Sequence, residues 1–185
     1  MSQLRIAVIV GSLSKQSINR QLALGLATLM QDKADFEFID ISRLPLYNRD
    51  FDNTPDFKPF DDLKPLIRGC NGVLFVTPEY NRSIPASLKN VLDGLSRPYG
   101  QSVWAGLPAA VIGSSPGAAA TAMAQQHLRN VLASLDMPTL PQPEGFVRWS
   151  DTLLDADGKI GQGSHDFLVK YMTRFLDWVQ LHQKR

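Results

Sequence analysis

Residues 4–30 read "LRIAVIVGSLSKQSINRQLALGLATLM", and the change of period inside that stretch decides the fold. Leu4 to Val10 is apolar at every position but Arg5. A strand that is greasy on successive residues is covered on both faces, as in a parallel sheet. From Ser17 to Met30 the pattern becomes helical, with Ile18, Leu22, Leu26 and Leu29 at spacings of three and four. Between strand and helix stand Gly11, Ser12, Ser14, Lys15, Ser17 and Asn19. A strand feeding a helix through such a loop is the opening unit of an α/β domain.

The alternation repeats along the chain. Strand-like runs follow at Phe36–Ile41, Val73–Thr77, Ala109–Ile112 and, less regularly, Gly145–Trp149. Helical patterns separate them at Phe60–Gly69, Pro85–Leu95 and Gly117–Leu135, and Ser164–Gln183 closes the chain. Pro85 suits a first helical turn. Five strands alternating with helices predict a doubly wound five-stranded parallel sheet in three α/β/α layers. The 185 residues fit one domain, residues 1–185. Two irregular stretches remain. "SRLPLYNRDFDNTPDFKP" (Ser42–Pro59) reads as a long loop, and "DADGK" (Asp155–Lys159) as a turn or hairpin.

Composition narrows the function. Hydrophobic residues at 44% support a sizeable core, and 19 basic against 18 acidic residues give no nucleic-acid footprint. Cys70 is the only cysteine, which rules out an internal disulfide and a cysteine-rich metal site. His127, His165 and His182 lack metal-ligand spacing, so no metal is expected. A reducing cytoplasm suits this cysteine usage. No apolar run reaches the length of a membrane span, and "IAVIVGSL" lacks the cleavage site of a signal peptide.

In open α/β sheets ligands collect beyond the carboxyl ends of the strands, at the topological switch point. The loop after the first strand offers free helix N–H groups and the hydroxyls of Ser12, Ser14 and Ser17, with the Asn19 amide, to a terminal phosphate. The dinucleotide fingerprint and the P-loop both need glycines or a lysine that are missing here. Taken alone, this loop fits a phosphate site and an ordinary Ser17 helix cap equally well. The second stretch, "VTPEYNRSIPASLKNVLD" (Val76–Asp93), leaves the third strand. Pro78–Asn81 would carry a planar ring near Tyr80, or simply connect two elements with Tyr80 in the core and Glu79 in water. The third, "VIGSSPGAAAT" (Val111–Thr121), would close the pocket with Ser114, Ser115 and Gly117, or form a plain tight turn.

Together these stretches resemble the NADPH-dependent FMN reductase family, and within it the bacterial quinone and chromate reductases. The likeness rests on Gly11-Ser12 with Ser17 and Asn19, on "PEYN" with Ser83, Pro85 and "LKN" (Leu88–Asn90), and on "GSS" with Gly117 and "HLR" (His127–Arg129). It covers roughly Ile6 to Phe146. The resemblance implies the flavodoxin-like fold, noncovalent FMN, and a homodimer or homotetramer with FMN near the interface. Carried over by position, Ser12, Ser17, Ile18 and Asn19 hold the phosphate. Pro78, Glu79, Tyr80 and Asn81 hold the isoalloxazine, and Ser115 lies beside it. Ser14 stands where family members often carry arginine, with Lys15 next to it. The implied activity is a ping-pong transfer of hydride from NADPH or NADH, through FMN, to a quinone, flavin, azo compound or chromate. No side chain is assigned as acid, base or nucleophile. No arginine is identified by position as a ligand for a 2′-phosphate, which leaves NADPH and NADH both open; Arg82 beside the flavin loop is a candidate. The competing function is a flavodoxin-type electron carrier, which the near-neutral charge disfavours.

Overall fold

The structure is a computed structural model and describes residues 3–183. Five parallel strands form one sheet: β1 (Leu4–Val10), β2 (Ala34–Phe38), β3 (Gly72–Val76), β4 (Ala109–Ser115) and β5 (Gly145–Arg148). Their spatial order is β2-β1-β3-β4-β5. Ile6 pairs with Phe36 on one side and Gly72 on the other, Phe75 pairs with Val111, and Gly113 with Phe146. Connections run to one side from β1 to β2, and to the other from β3 onward. The reversal therefore falls between the carboxyl ends of β1 and β3, which is the switch point of the flavodoxin-like order.

Side chains alternate across each strand and split the core in two. On one face Ile6, Val8 and Val10 meet Leu22 and Leu26 of α1 (Ile18–Leu29) and Leu168, Tyr171 and Phe175 of α6 (Gln162–His182). On the other, Ala7, Ile9 and Phe75 meet Phe60 of α2 (Lys58–Asp61), Ile67 of α3 (Lys64–Arg68), Leu88 and Leu92 of α4 (Ala86–Leu95), and Leu128 of α5 (Ala122–Ser134). Each fully buried leucine or phenylalanine contributes roughly 1.5–3 kcal/mol, so both helical layers are held mainly by this burial. Trp104 is fully buried against Phe75 and donates its indole N–H to Leu92 O at 3.0 Å.

Three expected elements come out differently. The helix expected over Phe60–Gly69 is two short helices, because Pro65 sits in the first turn of α3 and cannot donate an N–H to a continuous helix. The second strand lies at Ala34–Phe38, with Ile39 and Ile41 leaving the sheet to join the apolar cluster under α4. The helix expected from Gly117 starts at Ala122. Ala120 and Thr121 before it take the left-handed conformation, with φ of 44° and 67°. Buried bonds pin Thr121 there: its Oγ1 accepts from Gln125 Nε2 at 2.9 Å, and Gln125 Nε2 also reaches Gly145 O at 2.8 Å. "DADGK" is a tight turn between Leu154 and Ile160, which bridge antiparallel. Among the described residues no helix is long and apolar enough to cross a membrane.

Candidate functional site

The loops after β1, β3 and β4 open at the same end of the sheet. In the first, Ser17 caps α1 by accepting from Arg20 N–H at 3.1 Å, while its own N–H bonds Ser14 O at 3.2 Å. The N–H groups of Ile18 and Asn19 in the first turn have no acceptor among the described residues, as expected for a helix start. They point their dipoles where an anion is favoured by roughly 0.3–1 kcal/mol at an exposed site. Ser12 is half-buried and Ser14 exposed, so both hydroxyls are available beside these donors. Gly11 permits the arrangement: a Cβ there would meet Pro85 Cγ at 2.9 Å and Leu88 Cβ at 3.3 Å. Its carbonyl accepts from Ser87 Oγ at 2.6 Å, which fixes the first loop to the start of α4.

Asn19 has a role that its residue type alone did not announce. It is buried, and its amide makes both bonds to one backbone unit: Nδ2 donates to Ser114 O at 2.9 Å, and Oδ1 accepts from Ser114 N–H at 2.8 Å. Its side chain is thus a strut between α1 and the end of β4, and what it presents toward the loop is its backbone N–H.

After β3, Pro78 is buried and Tyr80 is 51% exposed, outside the core. Tyr80 and Ser83 exchange backbone bonds of 2.9 and 3.0 Å around Asn81 and Arg82, whose φ values are 49° and 67°. Two left-handed central residues make a type I′ turn, which suits Asn better than Arg. The N–H groups of Glu79 and Asn81 have no acceptor among the described residues. Glu79 does not stand free in water. Its Oε2 accepts from Ala124 N–H at 3.1 Å, at the third position of α5. Thr121, the residue before α5, makes no side-chain cap, so the carboxylate from the β3 loop does that work.

The third wall is Ser115, half-buried, with Pro116 to Ala119 exposed beyond it. Trp149 N–H donates to Ser115 O at 2.9 Å, and Arg148 Nε reaches Pro116 O at 3.4 Å. Beneath the loop, Ser114 Oγ and Gln125 Oε1 are buried with no hydrogen-bond partner among the described residues. Of the ten residues singled out from the sequence, nine lie on these loops or in the first turn of α1, and Ser115 is the last residue of β4. Two struts space the loops, Asn19 to Ser114 and Glu79 to Ala124. The sequence reading missed both, since each joins residues 45 or more positions apart.

Other titratable side chains are engaged elsewhere. Cys70 is buried, and burial pushes its thiol up to about 11, with Glu37 adding to the shift. Lys89 pairs with Asp93 on the α4 surface at 2.7 Å. His127 Nδ1 lies 3.0 Å from Ser83 Oγ. Glu144 is bonded locally, by Gln126 Nε2 at 2.9 Å. The long loop after β2 is clasped to α4. Asn90 bonds Tyr47 N–H at 2.7 Å and Pro45 O at 2.8 Å, and Arg97 Nη2 meets Asp52 Oδ2 at 2.6 Å.

Comparison with known proteins adds to this geometry. The NADPH-dependent FMN reductase family model matches residues 4–151. The 2-hydroxy-1,4-benzoquinone reductase of a Burkholderia species is 47% identical over 179 residues, covering 96% of this chain and 97% of that protein. A quinone reductase of Pseudomonas putida is 41% identical over 184 residues, 99% of each chain. Among solved structures, FerB, a flavoenzyme NAD(P)H:(acceptor) oxidoreductase from Paracoccus denitrificans, superposes with a TM-score of 0.91. It is 38% identical and covers 97% of this chain and 98% of its own. A flavodoxin variant from Pseudomonas aeruginosa, 15% identical, covers 93% of this chain and 99% of its own with a TM-score of 0.61, and shares the fold alone.

Proposed function

The chain belongs to the NADPH-dependent FMN reductase family, and from that premise we propose that it is an FMN-dependent NAD(P)H oxidoreductase whose acceptor is a quinone. The observation that carries the reading is the convergence of three donor-bearing loops at the switch point, at fixed spacing. The donor set fits FMN. A terminal phosphate needs several donors and some positive potential, and the α1 N-terminus with its serines supplies both, with Arg20 lining the same polar cavity as Ser12 and Ser14.

In this reading the N–H groups of Ile18 and Asn19 and the hydroxyls of Ser12, Ser14 and Ser17 hold the phosphate. The backbone N–H groups of Glu79 and Asn81 bind the polar edge of the ring, where preorganised donors favour negative charge. Tyr80 gives that loop its apolar surface above the buried Pro78, and Ser115 lines the opposite side. FMN held by these residues would supply the redox chemistry, two-electron transfer between NADPH and the acceptor. The protein's part is orientation, and the two struts serve it by tying the first loop to β4 and the second to α5. The exposed Pro116–Ala119 side leaves room for a flat acceptor. The acceptor's chemical class comes from the quinone reductases above.

We further infer a homodimer or homotetramer in the cytoplasm. Leu13 (52% exposed) on the first loop and Tyr80 on the second support a subunit face beside the cleft. Sedimentation equilibrium checks the mass.

The deciding experiment is a visible spectrum of the purified protein, followed by NADPH without oxygen and then benzoquinone. Flavin bands that bleach with NADPH and return with quinone are expected. Bands that persist through NADPH would instead favour a one-electron carrier on the same fold, and no flavin after incubation with FMN would overturn the cofactor.

A further inference from the structure

Two cavities lie beside the cleft and share Asp40 as a common wall. The smaller, about 340 Å³, is polar and is bordered by the serine loop at Ser12 and Ser14, and by Arg20. The larger, about 770 Å³, is mostly apolar, with Pro45 and Phe51 among its walls and Arg43 at its rim. They make one groove over the carboxyl end of β2, starting at the loop that would hold the flavin phosphate. Its charges are distinctive. Neither Arg20 nor Arg43 has an ion-pair partner among the described residues, whereas Lys58 is paired with Asp62 at 2.6 Å. Asp40 accepts from Ser42 N–H at 2.9 Å. Hydrogen bonds from Ser42, and then the nearby Arg43 and Arg20, hold its carboxyl below the usual range. The groove thus offers an apolar slot, an ionised acceptor for hydroxyl groups in Asp40, two further carboxylates at Asp56 and at Asp62, the latter held by Lys58, and two guanidiniums without ion-pair partners among the described residues, that of Arg20 lying 5.9 Å over the Phe38 ring.

A ligand matching those features has a flat apolar ring, a sugar and a phosphate. We propose that this groove binds the adenosine 2′-phosphate half of NADPH. The adenine lies against Phe51 and Pro45, Asp40 accepts a ribose hydroxyl, and Arg20 and Arg43 take the 2′-phosphate. A carboxylate alone at this place would select an unphosphorylated ribose. Two unpaired arginines flanking it reverse that preference, because a guanidinium bonds phosphate with two parallel N–H groups. The proposal rests on the reading of NADPH as reductant, and it replaces Arg82 as the residue that recognises the 2′-phosphate.

The test is calorimetric titration of the FMN-loaded protein with 2′,5′-ADP and with 5′-AMP, for the wild type, Arg43→Ala, Arg20→Ala and Arg82→Ala. Arg43 and Arg82 are exposed, so neither change threatens the fold. Wild type is expected to bind 2′,5′-ADP at least about tenfold more tightly than 5′-AMP, on the scale of one charge-assisted contact. Arg43→Ala and Arg20→Ala shrink that ratio, and Arg82→Ala keeps it. A ratio near one in the wild type, or a ratio that survives both groove variants or falls only with Arg82→Ala, overturns the groove. Bleaching of the wild-type flavin by NADPH separates the two readings. Bleaching without groove-dependent binding sinks this proposal alone, and no bleaching sinks the reductase reading with it.

Discussion

Asn19 and Cys70 mark the limits of reading single residues. An asparagine two positions into a helix, after a run of serines, invites a ligand role, yet its amide closes a bidentate pair with the Ser114 backbone. Replacing it by leucine leaves a buried N–H and C=O without partners, at about 1–3 kcal/mol for each such loss. Asn19→Leu is therefore expected to lower stability by about 2–6 kcal/mol, read as a lower urea midpoint at unchanged slope. Loosened flavin binding follows, as the first loop is no longer held to β4. Cys70 behaves as its surroundings dictate. Its folded thiol titrates near 11 against 9.0 for the free group. The neutral form is the one the fold favours, so the stabilisation is complete below pH 9 and is lost as pH rises from 9 toward 11. The stability of the wild type relative to Cys70→Ala should accordingly fall between pH 8 and pH 10.5. Equal differences at both pH values would contradict this environment for the thiol.

At the scale of elements, α5 shows a helix whose start is set from outside. Its alanine-rich approach has good helix propensity from Ala118 onward, but the left-handed Ala120 and Thr121 delay the first turn to Ala122. The missing cap is supplied by Glu79 from the β3 loop. Glu79→Ala should cost about 0.5–2 kcal/mol, the range for losing a helix cap, while Glu79→Gln keeps an acceptor and loses less. Thermal unfolding of the two variants checks the order. Both should bind FMN more weakly than the wild type if the carboxylate also fixes the β3 loop, and unaltered FMN affinity would confine Glu79 to capping. The strands and α1 were legible because their signals are local: greasy runs, a 3.6-residue stripe, a serine cap. The split at Pro65 has an equally local cause, yet the apolar pattern over Phe60–Gly69 predicts a single helix, and only the structure showed two. The late start of α5 was not legible, since it depends on Gln125 and Gly145 meeting Thr121 from another element.

For the molecule as a whole, the sheet is a plate gripped by two helical layers. The far layer is tied to it by Tyr171 of α6, whose hydroxyl donates to Val111 O in β4 at 2.7 Å. That hydroxyl is fully buried, and burial raises its pKa far above the ordinary phenol value. Tyr171→Phe keeps the ring and removes one buried bond, for an expected loss of about 0.5–1.5 kcal/mol. The cleft lies at the strand ends, so FMN affinity should not change; equilibrium unfolding together with a flavin titration tests both halves.

The sequence by itself determined the α/β alternation, the two-sided burial of the central strands and the three candidate loops at the strand ends, because strand and helix periods and loop chemistry are written within a few residues. The resemblance in those same loops pointed to the family. Only the tertiary structure decided how the loops are spaced and where the second groove runs. Asn19 meets Ser114, Glu79 meets Ala124, and Arg20 and Arg43 flank Asp40. Such meetings depend on which strand ends are neighbours, and strand order arises from packing the whole sheet between its helices, not from any one segment.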